Sequence, residues 1–86
     1  MSVIQNNLIN LQFMLITMNT KTINRLKAVL AEKQLTNKWL GEQLGKSLTT
    51  ISRWCTNETQ PSLENLVEIS VVLDIDVREL LVPTKK

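Results

Sequence analysis

The 86-residue chain carries ten Lys and Arg against eight Asp and Glu, a formal charge of +2, with no histidine, no tyrosine and a single cysteine, Cys55. That length suits one domain with one small core and leaves too little interior for an enclosed active site beside a binding lobe, so a binding module and not an enzyme is expected. The lack of histidine and of a second cysteine excludes a Cys/His zinc site, a histidine general base and an internal disulfide; no metal or cofactor is expected, and a reducing cytoplasm fits.

Residues 1 to 20 hold no charged side chain, and Leu8 to Ile16 is apolar apart from Asn10 and Gln12. A secretory signal would need a basic start and a small-residue cleavage site, and the apolar run is too short to span a bilayer, so neither secretion nor membrane insertion is expected. Ile9, Leu11, Phe13 and Leu15 alternate with polar or flexible residues as a strand would, while Ile4, Leu8, Leu11 and Leu15 also fit one helix face; periodicity leaves both open. Two readings stand for this extension: an ill-ordered segment ahead of a start at Met18, or a dimerisation arm.

A folded domain is expected over residues 21–82, followed by a tail at 83–86. Its first helix should run from Thr22 to Lys33, with Ile23, Leu26 and Leu30 inward and Arg25, Lys27 and Lys33 outward. A second helix opens at Thr36, a capping residue, and carries Leu40 and Leu44 on one face. Gly45 supplies the positive φ that turns the chain out of that helix, and Ser47 caps a third. Gly41, one turn earlier, leaves room for close packing of the third helix, whose buried side is Ile51 and Trp54. Two short helices crossing at a glycine turn form a helix-turn-helix, an arrangement that reads DNA.

Beyond Trp54, residues 56 to 60 read as polar loop, and Pro61-Ser62 starts a further helix with Leu63, Leu66, Ile69, Ser70 and Leu73 inward. Asp76 caps a last helix, with Glu79 placed to complete a capping box and Val77, Leu80 and Leu81 closing the core.

From Ile23 to Leu81 the chain resembles the Cro/lambda-repressor-like, or Xre-type, family of DNA-binding domains. The likeness rests on Leu35-Thr36, Leu40, Leu44-Gly45, Ser47, Thr50-Ile51-Ser52-Arg53-Trp54, Pro61-Ser62-Leu63, Leu73-Asp74-Ile75-Asp76 and Glu79-Leu80-Leu81. Three positions depart from the family pattern: Lys46 where a small apolar residue is usual, Cys55 where an acidic one is usual, and Asn57 in place of glycine. Asparagine is the commonest substitute at positive φ, so the turn at Asn57 is retained. The resemblance implies an all-α, five-helix domain and a transcriptional regulator, most readily a repressor, acting as a homodimer on a palindromic operator in double-stranded DNA. Its rival is the antitoxin of a toxin–antitoxin pair, in which the same fold binds both DNA and a partner toxin.

Charge is split along the chain. Lys21, Arg25, Lys27, Lys33, Lys38, Lys46 and Arg53 face only Glu32, Glu42 and Glu58 before Gln60, whereas Arg78 alone opposes Glu64, Glu68, Asp74, Asp76 and Glu79 between Pro61 and Val82. The basic half coincides with the helix-turn-helix, where a positive field attracts phosphate.

Helical steps of about 100° place Ile51 and Trp54 together and turn Thr49, Ser52 and Arg53 outward, with Leu48 at the border. These four are the expected base-contacting residues: Arg53 suits guanine O6 and N7, and the methyl groups of Leu48 and Thr49 suit the thymine methyl. Ser47 and Thr50 are candidates for phosphate, flanked by Lys38, Lys46 and Thr56. The resemblance adds Asn37, which stands where the family often has a backbone-clamping Gln. Trp54 reads as core, Trp39 as half exposed, and Cys55 as a small buried hydrophobe. On the helix after Pro61, Val71 and Val72 should turn away from the core with Val67 at its edge, an apolar cluster that suggests a dimer interface, or a surface that the Leu8–Ile16 segment covers.

Overall fold

The computed structural model describes residues 22–85; the expected extension at 1–20, with its Leu8–Ile16 segment and Met18, lies outside the described residues. The described part is all-helical, with four α-helices, α1 (Leu26–Glu32), α2 (Asn37–Leu44), α3 (Leu48–Cys55) and α4 (Leu63–Leu73), and a closing 3-10 turn at Val77–Leu80. Leu26, Leu30, Leu40, Ile51, Trp54, Leu66, Ile69, Leu73 and Leu80 meet in one core to which every element contributes.

The first helix is shorter than its apolar spacing suggests. Residues 22 to 25 lie outside the helix, and Asn24 forms an isolated antiparallel bridge with Leu81. The Arg25 N–H donates to the Leu80 carbonyl at 2.8 Å and the Val82 N–H to the Ile23 carbonyl at 2.9 Å. Asn24 explains the change: its Oδ1 accepts from the Leu26 N–H at 3.0 Å, a local bond that competes with helix at the preceding residues. Ile23, expected inward, is consequently 55% exposed.

The helix starts at Thr36, Ser47 and Ser62 agree with expectation. Thr36 Oγ1 accepts from the Trp39 N–H at 3.0 Å, Ser47 Oγ from Thr50 at 3.1 Å and Ser62 Oγ from Asn65 at 3.1 Å, each satisfying a donor that the helix itself leaves open. Gly45 ends α2 at φ +65°, and Asn57 takes φ +60° after α3.

Two further inward assignments and one outward assignment need correction. Leu63 is 80% exposed. It is the first residue of α4, one turn ahead of Leu66, and the stripe that meets the core is Leu66, Ile69, Ser70 and Leu73. Leu81 is exposed because the chain is extended there, beyond the closing turn. Val72, expected outward, is half-buried and packs against the core, whereas Val67 and Val71 are 53% and 73% exposed. The last helix is of the 3-10 type, four residues long, although its capping box forms: the Glu79 carboxylate accepts from the Asp76 N–H at 3.0 Å and Asp76 Oδ1 from the Arg78 N–H at 2.8 Å. The backbone N–H and then the side chain of Arg78 hold the Asp76 carboxyl below the usual carboxylate range.

Candidate nucleic-acid interface

The helix pair α2–α3 is fixed from both sides. Ile51 is fully buried and Trp54 is 5% exposed, which anchors α3 through one face. At the crossing, a Cβ on Gly41 would lie 2.8 Å from the Lys46 carbonyl oxygen and 3.5 Å from Ile51 Cγ1. The first distance is closer than side-chain carbons approach backbone, so glycine at 41 is what allows the Gly45–Ser47 turn to fold back over α2. The Lys46 N–H in turn donates to the Gly41 carbonyl at 2.9 Å.

With Ile51, Trp54 and Cys55 turned inward, the outer face of α3 carries Leu48, Thr49 and Arg53, all exposed, and Ser52, half-buried. Ser52 differs from the simple wheel because Asn37, at the first turn of α2, leans onto it: Asn37 Nδ2 lies 3.5 Å from Ser52 Oγ, and Cys55 Sγ lies 3.4 Å from Asn37 Oδ1. Asn37 therefore links the start of α2 to the middle and end of α3 by two long polar contacts. Ser47 and Thr50 sit together at the start of α3, their hydroxyls 2.9 Å apart, with Thr50 half-buried. Lys38 and Lys46 are exposed, and Thr56 is exposed with its hydroxyl donating to the Arg53 carbonyl at 3.2 Å. Among the described residues the ion pairs are Arg25–Glu32 at 3.3 Å and Arg78–Asp76 at 3.1 Å. Neither involves Lys38, Lys46 or Arg53, so these three cations face outward without an anionic partner in the described part of the chain.

Cys55 is a free, buried thiol. Burial raises its pKa, with the positive charge of Lys27 opposing more weakly, so the residue is a neutral small hydrophobe and not an activated thiolate.

The other end of α3 is held by polar groups that sequence reasoning overlooked. Asn24 is 2% exposed. Its Nδ2 donates to the Trp54 carbonyl at 2.9 Å and to Gln60 Oε1 at 2.7 Å. Asn57 Oδ1 accepts from the backbone N–H groups of Ile23 and Asn24 at 2.8 and 2.9 Å, and Asn57 Nδ2 returns a bond to the Asn24 carbonyl at 3.1 Å. The only sequence signal was an asparagine at an otherwise amphipathic helix start, a residue type that favours local backbone bonding over helix interior.

A helix-turn-helix family matches residues 26–80 of the chain. Among solved structures, the chain is similar to the crystal structure of a candidate DNA-binding protein from Bacteroides fragilis, at 58% identity over 70% of this chain and 97% of that one, with a TM-score of 0.69. No curated protein matches the chain. Among the described residues no helix is long and apolar enough to cross a membrane.

Proposed function

This chain belongs to the Cro/lambda-repressor-like, Xre-type family of helix-turn-helix proteins, and on that premise we propose that it is a sequence-specific DNA-binding regulator that inserts α3 into the major groove. The observation that carries the reading is the outer face of α3: a rigidly anchored helix whose exposed side presents Leu48, Thr49 and Arg53, bordered by the outward cations Lys38 and Lys46. Arg53 forms the bidentate pair with guanine, Leu48 and Thr49 meet thymine methyl groups, and Ser52 reads an adjacent base edge. Asn37, Lys38, Lys46, Ser47, Thr50 and Thr56 contact phosphate. Asn37 and Thr50 do so from half-buried positions, so their contribution is to set the orientation of α3 on the backbone.

Base readers and phosphate binders separate in a binding titration. Arg53→Ala is expected to weaken operator binding by about 1–3 kcal/mol and to relax preference at one base pair. Lys46→Ala is expected to weaken operator and random DNA alike and to reduce the salt slope by about one unit. An Arg53→Ala protein that keeps the wild-type ratio of operator to random binding would remove α3 from the role of reader.

The regulator acts in the cytoplasm as a homodimer on a palindromic operator, and represses by occupying promoter DNA. One recognition helix reads only a few base pairs, whereas two related by a two-fold axis read half-sites about 10 bp apart. The dimer contact is placed on α4, where Val67 and Val71 are exposed above half-buried Val72 and Leu44 in a shallow groove. Sedimentation of Val71→Lys on operator DNA checks this: the wild type is expected to load two copies and the variant one. A variant that still loads two would move the interface off this face.

A further inference from the structure

A second, larger groove of about 820 Å³ opens between α1, the end of α3 and the residues after the closing turn, walled by Ala28, Ala31, Cys55, Val82 and Pro83, with Arg25 and Lys27 also in its lining. Small side chains at 28, 31 and 55 leave it open. Its apolar character continues onto exposed Ile23, Leu81 and Val82, which the Asn24–Leu81 bridge holds side by side. Thr22, the first described residue, also lines this groove.

We infer that this groove is the docking site for the Leu8–Ile16 segment of the same chain. The segment is uncharged and mostly apolar, so it carries no charge of its own into the groove, and it covers apolar surface that the domain's own core does not use. Thr22, where the described residues begin, lines the groove, and five residues, 17 to 21, separate it from Ile16; the six steps from Ile16 to Thr22, at no more than about 3.5 Å each, give a reach of roughly 20 Å. So short a tether holds the segment at an effective concentration in the millimolar range, which favours its own groove over that of a second copy. The groove on α4 is less suited. It is smaller, about 330 Å³, and none of its lining residues adjoins the start of the described chain. A segment docked beside α1 lies next to Cys55 and Thr56, at the C-terminal end of the proposed reading helix.

Hydrogen exchange followed by mass spectrometry on the full chain, without DNA, tests the inference independently of the DNA reading. Amides of residues 8–16 are expected to exchange about tenfold or more slowly than an unprotected chain. Ala31→Glu, at an exposed position of α1, and Val82→Asp, on the opposite wall, are each expected to restore unprotected exchange while thermal melting confirms that the domain remains folded. Val71→Lys is expected to leave the protection in place. Unprotected amides in the wild type would overturn the inference, as would protection that survives both groove charges or is lost in Val71→Lys. Protection that rises with protein concentration together with a doubled mass would also overturn it, by assigning the occupant to a second copy.

Discussion

Trp54→Ala is expected to lower the unfolding free energy by about 3–5 kcal/mol, a large part of what a domain of this size possesses. The indole is almost fully enclosed among Leu26, Leu30, Ile51 and the other core side chains, so its removal forfeits the transfer free energy of a large apolar group and leaves a cavity where α3 meets the rest of the domain. DNA binding should then fail because α3 is no longer held. Urea unfolding read by circular dichroism checks the magnitude. A variant with the wild-type midpoint would show that α3 is anchored by Ile51 and Cys55 alone and that Trp54 contributes nothing to the cooperative core.

Asn24→Ala is expected to cost about 2–4 kcal/mol, from three lost hydrogen bonds and from a backbone N–H left without a partner in a buried setting. The Leu26 N–H is the group exposed to that penalty, whereas the Trp54 carbonyl loses one donor and keeps the Asn57 N–H at 3.1 Å. Asn24→Asp tests the chemistry more sharply. It keeps the size of the side chain but sets a carboxylate against the Trp54 carbonyl and Gln60 Oε1, both acceptors. That variant should be destabilised most at neutral pH and should recover as acidification protonates the new carboxyl, which can then donate. A loss under ~0.5 kcal/mol for Asn24→Ala would be that of an ordinary surface position and would remove the Asn24–Asn57 pair from the account of how the chain is closed. Its partner Asn57 combines two roles, the positive φ that ends α3 and the acceptor that gathers the Ile23 and Asn24 N–H groups. The first was legible from its place after α3; the second needed residues more than thirty positions away to be brought alongside.

The starts and stops of the central helices were local properties, and the amino-acid sequence by itself determined them. A hydroxyl at Thr36, Ser47 or Ser62 satisfies N–H groups within three residues, and Gly45 relieves a steric conflict within its own residue, so no distant partner is required. The same holds for the buried side of α3, because Ile51 and Trp54 share a face by helical geometry alone. Which ends of an apolar stripe meet the core was decided only by tertiary structure. Ile23, Leu63 and Leu81 each continue an apolar pattern, yet Ile23 lies ahead of α1, Leu63 at the first position of α4 and Leu81 beyond the closing turn, and Val72 is covered because the packing of α4 reaches further round than its central stripe. The shortening of the first helix belongs to the same class. Thr22 to Arg25 has a helical pattern, but backbone pairing with Leu80 to Val82 and the side chains of Asn24 and Asn57 offer those residues hydrogen bonds outside a helix that a frayed first turn would not supply. For the reading surface, sequence alone placed Leu48, Thr49 and Arg53 on the outer face, while the inward lean of Asn37 onto Ser52 and Cys55 depended on how closely α2 and α3 approach, a distance that Gly41 permits and no periodicity encodes.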